Sequence, residues 1–188
     1  QQTIPDCIVR LTNLETLSLR GRDNRIPNSI GQLTNLKLLS LYTFNGEIPA
    51  SIGNLTNLRS LHIGSGNFEN LPPGISNLTQ LRTLSLKYNE LTEIPEELFA
   101  LSNLEVLRLN GNKISNIPPG IRGLKSLHYL YMEDNRITRI PEYMEALHYL
   151  YSIQTDKKKL PPEDLEFIQK LEERNTHNYY ARLEKSEN

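Results

Sequence analysis

Apolar residues recur along most of the chain with two alternating spacings. Leucines two positions apart, such as Leu107 and Leu109, have the period of a β-strand, with the leucines buried and the residue between them exposed. Residues such as Ile117, Ile121 and Leu124 follow with near-helical spacing. That segment predicts one turn of α-helix or 3₁₀ helix. Each unit of the chain therefore combines a short strand with a helical turn.

Proline marks the period of these units. Eight Ile-Pro or Leu-Pro pairs are 22 or 23 residues apart, except the last, which follows after 20 residues. The pairs begin at Ile4, Ile26, Ile48, Leu71, Ile94, Ile117, Ile140 and Leu160. A fixed period over nearly the whole chain indicates a repeat array, in which each unit buries its apolar residues against its neighbours.

The repeats match a known consensus. Residues 104–114 fit the pattern LxxLxLxxNxL, and the same frame occurs at 81–91 and 127–137. The chain therefore resembles leucine-rich-repeat (LRR) proteins, in seven repeats over about residues 4–160. The 22- and 23-residue repeats are similar to those of bacterial LRR proteins and of Ras-suppressor and Scribble-type scaffolds, whereas residues 45–58 look more like plant receptor repeats.

The resemblance implies an α/β fold, namely an LRR solenoid. Such a solenoid is a right-handed coil with a parallel sheet on its concave face and helical or 3₁₀ turns on its convex face. After Pro161 the pattern changes, and apolar residues every three positions from Leu165 to Leu171 predict a helix that caps the open end. We therefore expect an LRR domain at 1–160 and a helical cap with a tail at 161–188.

An asparagine is expected where each strand ends, because its amide offers donors and acceptors to backbone groups of the bend. Three repeats, the fourth to the sixth, carry it at Asn89, Asn112 and Asn135. The other repeats have Arg22, Phe44, Gly66 and Lys158 at this position. Asn45 and Asn67 lie one residue later and are expected to substitute through a distorted bend. The N-terminal half is therefore predicted to be the more irregular half.

The seventh repeat allows two registers. The tetrapeptide His-Tyr-Leu-Tyr occurs at 128–131 and again at 148–151, and matching these copies gives a 20-residue repeat. Matching the convex segments instead aligns Ile153 with Leu130. We prefer the second register because it keeps every core position apolar.

Composition excludes several classes of partner. The net charge is −1, with 21 basic and 22 acidic residues, so no global field selects nucleic acid or an anionic membrane. No stretch approaches the roughly 20 apolar residues of a membrane span. One cysteine, Cys7, precludes an internal disulfide. This slightly favours an intracellular location without excluding bacterial secretion, and composition is silent on export.

Signatures of enzymes are missing from the sequence. The four histidines show no paired metal-ligand spacing, and Gly64-Ser65-Gly66 is too short for a phosphate loop. We therefore expect no catalytic residue, cofactor or metal. Asn54-Leu55-Thr56 and Asn77-Leu78-Thr79 match the glycosylation acceptor, but the repeat itself favours such residues at these positions.

Basic residues stand in one outward column of the predicted sheet. Lys37, Arg59 and Arg82 would lie side by side on successive strands. His62, Lys87 and Arg108 follow in neighbouring columns. Such a surface would suit an acidic patch on a partner. The alternative is solvated charge, balanced by Glu15 and Glu105 at the ends of the same column.

Tyrosines form the second candidate feature. Tyr129 and Tyr131 are predicted to face outward, with Tyr151 beside them and Glu133 at the rim, and Tyr42 faces outward near the other end. Exposed tyrosines ringed by charge are typical of binding hot spots. The alternative is a pair of tyrosines that merely covers a β-surface.

These features favour a non-enzymatic module that binds a protein partner on its concave face, and the basic residues favour a partner with an acidic patch. The expected contact residues are Lys37, Tyr42, Arg59, His62, Arg82, Lys87, Arg108, Tyr129, Tyr131 and Glu133. Two alternatives stay open. One is the substrate-recognition domain of a larger enzyme, such as a kinase or ubiquitin ligase, and the other is a carbohydrate-binding or sensor protein. We expect a monomer, and the sequence names no partner.

Overall fold

The repeats coil into a solenoid with one parallel β-sheet. A computed structural model describes the backbone of residues 6–44 and 46–186 and the side chains of 7–21, 25–44 and 46–178. The strands are Thr16–Asn24 (β1), Leu38–Phe44 (β2), Ser60–Gly64 (β3), Thr83–Ser85 (β4), Val106–Arg108 (β5), Tyr129–Tyr131 (β6) and Ser152–Gln154 (β7). They stand side by side in chain order, and each neighbouring pair is parallel. The predicted concave sheet is confirmed.

A short 3₁₀ helix precedes each strand on the convex side, as predicted. These helices are Asp6–Arg10, Asn28–Gln32, Ala50–Asn54, Pro73–Asn77, Glu96–Ala100, Pro119–Gly123 and Glu142–Ala146. Neighbouring turns pack backbone to backbone where glycine permits it. A Cβ on Gly31 would lie 2.3 Å from the carbonyl oxygen of Ser51, and one on Gly53 would lie 2.4 Å from that of Gly74. Only a residue without a side chain fits at these two positions without a backbone shift.

The core follows the repeat register. The inward residues of β2 to β6, such as Leu107 and Leu109, are almost completely buried, whereas Leu19 of β1 is only partly buried. In the seventh repeat Ile153 pairs with Leu130, and Leu150 is fully buried. The register that aligns the convex segments is therefore confirmed.

The asparagines of repeats four to six form a buried ladder. Asn112 donates through Nδ2 to the carbonyl oxygens of Leu86 and Leu109, at 2.9 and 2.8 Å, and its Oδ1 accepts the N–H of Leu91 at 3.1 Å. Asn89 and Asn135 repeat this pattern one repeat away on either side. Each amide thus satisfies backbone groups of its own bend and of the preceding repeat.

The residue just before the ladder position has left-handed backbone in five successive repeats. The aligned residues are Thr43, Ser65, Tyr88, Gly111 and Asp134, with φ between +56° and +68°. Only the fifth repeat supplies the glycine that this conformation favours. The other four repeats hold ordinary side chains in a backbone region that those residues rarely adopt.

The first repeats depart from the ladder, as predicted, but not through the expected substitute. Phe44 fills the ladder position with a buried ring, and the register of β1 with β2 shifts between Arg20 and Asn24. Asn67 does not replace the missing amide, because its side chain is exposed and its φ is +55°. Instead, Asn89 reaches back and accepts the N–H of Gly66 at 3.0 Å. Asn45, the side chain of Arg22 and the pair at Ile4 lie outside the described residues.

The seventh repeat has no ladder asparagine, and the aligned Lys158 is exposed. The neighbouring Lys159 contacts the preceding bend in another way. Its ammonium group donates to the carbonyl oxygen of Asn135 at 2.8 Å and to Asp156 at 2.7 Å. A long lysine side chain thus links the seventh repeat to the sixth, through a different carbonyl from those that the ladder amides use.

A C-terminal helix, Pro162–Ser186 (α1), packs against the last repeat. Ile168 and Leu171 are buried against the core. Polar residues of α1 complete the exposed end of the array. The carboxylate of Glu172 accepts the N–H of Ile153 on the edge strand at 2.7 Å, and the buried amide of Asn175 donates to the carbonyl oxygens of two residues in the seventh repeat. The helix therefore satisfies backbone groups that an eighth repeat would satisfy.

Candidate functional site

The outward residues of the sheet form the columns that the sequence predicted. In the column between the two inward leucines, His62 pairs with Ser85, Ser85 with Arg108, and Arg108 with Tyr131. The parallel register is regular from β2 to β7, so the columns cross the concave face without a break. Outward side chains of these six strands therefore share one face.

The predicted basic column is largely neutralised within the protein. Lys37 forms an ion pair with Glu15 at 2.6 Å, and Arg82 forms one with Glu105. Arg59 lies exposed between them. The structure thus brings the three cations to one edge of the sheet, but two of them have carboxylate partners on adjacent strands. This arrangement favours the alternative of solvated, internally balanced charge for this column.

A second set of cations lines a depression at the centre of the concave face. The lining residues are Tyr42, His62, Gly64, Ser65, Ser85, Lys87, Tyr88 and Arg108. Within the described part of the chain, no carboxylate forms an ion pair with Lys87 or Arg108. The lining contains no acidic residue, so the depression has a local positive charge that the nearly neutral chain as a whole lacks.

A neighbouring ring holds one of these cations, and burial affects the histidine beside them. The guanidinium of Arg108 lies over the ring of Tyr131, 5.2 Å from its centroid. This is the geometry of a cation–π contact, which restricts the arginine without neutralising it. Burial, and then the positive charge of Arg108, lower the pKa of His62 below its ordinary value. His62 is therefore neutral at pH 7, and Lys87 and Arg108 carry the positive charge.

Two tyrosines flank the depression, and glycine positions each of them. A Cβ on Gly64 would lie 3.4 Å from the ring of Tyr42, and a Cβ on Gly111 would lie 2.2 Å from the ring of Tyr88. Each ring therefore lies close over a glycine of the next repeat. Both tyrosines remain exposed, Tyr88 at 58%.

Aromatic side chains form a separate cluster where β6 and β7 begin. His128 stacks on Tyr151 with ring centroids 5.1 Å apart and an interplanar angle of 14°. Tyr129 and Tyr149 meet His128 edge-on, at 6.4 and 6.0 Å. Tyr129 and Tyr149 are 41% and 38% exposed. We call these four residues the aromatic cluster.

The remaining predicted residues lie around these two features. Tyr131 is half-buried beneath Arg108 and joins the aromatic cluster to the central depression. Glu133 is exposed at the rim, where its carboxylate accepts a hydrogen bond from Asn110 at 3.0 Å. All the predicted contact residues thus belong to the concave side, although the ion-paired lysine and arginine stand apart from the depression.

Sequence reasoning missed Tyr88 and the role of Tyr149. Tyr88 lies at a bend, and its left-handed backbone turns the ring over Gly111. The pattern of inward and outward strand positions holds no signal for such a residue. Tyr149 does have a signal, the second copy of the His-Tyr-Leu-Tyr tetrapeptide, but the tetrapeptide bore only on the repeat register.

Other kinds of site find little support in residues 6–44 and 46–186. That part of the chain brings together no group of three or more histidine, cysteine, aspartate or glutamate side chains able to hold a metal ion. None of its helices is long and apolar enough to cross a lipid bilayer. Acidic residues gather on the side of the proline pairs, where Glu69, Glu93 and Glu97 line a shallow depression.

Several solved structures have a similar architecture. An LRR protein of Leptospira interrogans is 30% identical, with a TM-score of 0.80 over 92% of this chain and 50% of its own. An internalin of Listeria monocytogenes is 23% identical, with a TM-score of 0.65 over 88% of this chain and 54% of its own, and shows the fold alone.

A plant protein is similar as well. The ectodomain of the Arabidopsis thaliana membrane receptor kinase GASSHO1/SCHENGEN3, solved with CASPARIAN STRIP INTEGRITY FACTOR 2, is 30% identical. Its TM-score is 0.65 over 84% of this chain and 20% of its own. This chain thus spans about half the length of the two bacterial proteins and a fifth of the plant ectodomain. A comparison with curated protein sequences gave no significant match.

A family model agrees with the structural likeness. The model described as "Leucine-rich repeat region" matches residues 69–176, which is more than half of the chain. LRR solenoids commonly mediate protein–protein interactions and are typically non-enzymatic recognition modules. The stacked repeats, the asparagine ladder and this match together show that the chain belongs to the leucine-rich-repeat family.

Proposed function

We propose that this chain is a protein-interaction module that binds a partner protein on its concave face and performs no catalysis itself. The aromatic cluster carries the proposal. Tyr129 and Tyr149 expose large rings at the edge of a sheet whose core is already complete. Tyrosines supply much contact area with little loss of conformational entropy, and they are enriched among binding hot spots.

The electrostatics of the concave face support the same proposal. Lys87 and Arg108 have no carboxylate partner among the described residues and lie one or two strands from the aromatic cluster. Aromatic anchors beside uncompensated charge give both contact area and selectivity for a partner of opposite charge. Of the structurally similar proteins, the plant ectodomain was solved in complex with a factor, which is consistent with partner binding by this fold.

The test is capture of binding proteins by matched variants. Tyr129→Ala with Tyr149→Ala removes the exposed rings, while Leu11→Ala removes an apolar side chain that is still more exposed, at 54%, from the opposite end of the array. We expect the tyrosine variant to lose partners that the Leu11→Ala variant retains. The affinity of a retained partner should fall by about 2–4 kcal/mol, which is roughly 30- to 1000-fold in Kd. Equal retention by both variants would contradict binding at the concave face.

Two wider roles remain distinguishable by experiment. If the chain is the substrate-recognition segment of a kinase or ubiquitin ligase, the full-length reading frame will contain that catalytic domain. If it binds carbohydrate, the stacked pair of His128 and Tyr151 would provide the platform. A glycan array would then give a signal that Tyr151→Ala abolishes. Absence of both results leaves the protein-interaction module.

A further inference from the structure

We propose that the central depression, lined by His62, Lys87 and Arg108 between Tyr42 and Tyr88, binds the carboxylate of an acidic side chain of the partner protein. This inference rests on the proposed function and adds the chemistry of one contact. It also moves the expected acidic contact from the Lys37 column to the middle of the sheet.

The basic residues of the concave face differ in whether a carboxylate of the same chain pairs with them. Lys37 and Arg82 already meet carboxylates of the same chain, so an incoming acid would compete with an existing ion pair. Lys87 and Arg108 have no such competitor within the described residues. Both are half-buried, and the effective dielectric constant there is lower than in bulk water. An acidic side chain therefore gains more at the depression than at the Lys37 column.

The geometry suits a carboxylate in particular. The contact with Tyr131 holds the guanidinium of Arg108, whose planar donors match the two oxygens of a carboxylate. Lys87 follows the preceding strand, β4, and adds a point charge. The imidazole of His62 and the hydroxyl of Ser85 line the same depression and add polar groups able to donate a hydrogen bond. Donors from three successive repeats thus line one depression.

Aromatic rings form part of the wall. Gly64 lets the ring of Tyr42 lie close to the backbone, and the rings of Tyr42 and Tyr88 both line the depression. Its volume of about 530 Å³ lies within the range of ordinary ligand pockets. The aliphatic part of an aspartate or glutamate would contact the rings while its carboxylate meets the cations. Exclusion of water by the rings would strengthen that pairing.

The experiment is an NMR titration of the intact chain with small probes. The peptide acetyl-Gly-Glu-Gly-amide supplies the carboxylate, acetyl-Gly-Gln-Gly-amide is its neutral control, and inorganic phosphate is the competing anion. The readouts are the imidazole resonances of His62 and the side-chain Nε–H resonance of Arg108. We expect saturable shifts with the glutamate peptide and none with the glutamine peptide.

Variants assign the site. Lys87→Gln and Arg108→Gln should each weaken binding of the glutamate peptide by about tenfold, the effect of losing one charged hydrogen bond. Lys37→Gln, which removes a cation that Glu15 already pairs, should leave binding unchanged. Lys87→Gln keeps the test decisive if loss of the Arg108–Tyr131 contact disturbs the fold, which circular dichroism would reveal.

Three outcomes with the peptides would overturn the assignment. They are no saturable shift with the glutamate peptide, an equal shift with the glutamine peptide, or binding that is insensitive to Lys87→Gln. Phosphate binding tenfold tighter than the glutamate peptide would also overturn it, in favour of a phosphorylated residue. If the glutamate peptide does not bind but the tyrosine variant still loses its partners, only the carboxylate contact is excluded. If the tyrosine variant retains all its partners, the proposed function is excluded instead.

Discussion

The asparagine ladder gives a quantitative test of the architecture through Asn112→Ala. The side chain of Asn112 is buried, donates to the carbonyl oxygens of Leu86 and Leu109 and, at 3.5 Å, of Asn110, and accepts one N–H. Alanine keeps the backbone conformation but removes these hydrogen bonds, of which the one at 3.5 Å is the weakest. The consequences for the other three backbone partners differ, and that difference sets the magnitude.

The carbonyl groups keep a second partner. Leu86 O also accepts from Asn89 at 3.0 Å, and Leu109 O also accepts from Asn135 at 2.9 Å. The N–H of Leu91 has Asn112 as its partner and would be left unpaired in the interior. One unpaired buried N–H costs about 1–3 kcal/mol, and two weakened carbonyl interactions add about 0.5 kcal/mol each. We therefore expect the free energy of unfolding to fall by about 2–4 kcal/mol.

Urea unfolding followed by circular dichroism would measure this change. The matched control is Asn103→Ala, because Asn103 also donates across a repeat, to Thr79 O at 2.8 Å, but is exposed to solvent. Water can replace that bond, so the control should lose less than about 1 kcal/mol. Equal losses for the two variants would refute the reasoning, because burial would then not matter.

Asn89 provides an internal check on the same account. The carbonyl oxygen of Ile63 accepts a hydrogen bond from the amide of Asn89 at 3.0 Å. Its own repeat supplies no second amide donor, because Gly66 stands at the ladder position. Asn89 also accepts the N–H of Gly66. Asn89→Ala should therefore destabilise the protein by about 1 kcal/mol more than Asn112→Ala. The reverse order would mean that the first repeats do not depend on this asparagine.

Three further changes probe other parts of the fold. Gly53→Ala should destabilise the protein by about 1–3 kcal/mol in thermal or urea unfolding, because the new methyl group would meet the backbone of Gly74; an unchanged stability would show that the convex turns are loosely packed. Asp164→Ala should cost about 2–4 kcal/mol and expose α1 first in hydrogen exchange, because the buried carboxylate accepts the N–H of Ile140 at 2.7 Å; protection of α1 equal to that of the wild type would contradict this. A hydrogen bond from Lys159 lowers the pKa of Asp156. The ionised Asp156 therefore stabilises the folded protein above the ordinary aspartate pKa, and this contribution is lost as the pH falls through the lowered pKa. The Asp156→Asn variant should accordingly be less stable by about 0.5–1 kcal/mol at pH 7 and match the wild type in strong acid, and a pH-independent difference would exclude the linkage.

The amino-acid sequence by itself determined the architecture and the register. Its repeats bury residues against equivalent residues 22 or 23 positions away, so one pattern of apolar spacing specifies every strand, every convex turn and each outward column. Even the irregular seventh repeat followed from the rule that core positions stay apolar. The interactions that build the coil are similar in each repeat, and this repetition allows them to be recognised in the amino-acid sequence.

The bends and the ends of the solenoid depended on tertiary structure. No residue pattern predicts left-handed backbone at Thr43, Ser65 or Tyr88, because these residues rarely adopt it alone. Hydrogen bonds between repeats hold the bend and impose the conformation. Likewise, the reach of Lys159 to Asn135 depends on a long side chain that alignment of positions cannot place.

The predicted columns placed Glu15 beside Lys37 and Tyr131 beside Arg108, and the tertiary structure decided which of these neighbours make contact. Lys37 and Arg108 both appear in the sequence as outward basic residues, and the columns predict that each has neighbours of several kinds. Only the folded chain pairs Lys37 with Glu15 and sets Arg108 over Tyr131. The physical reason is that backbone periodicity fixes where a side chain starts, whereas its partner depends on side-chain conformation and on groups that meet across different strands.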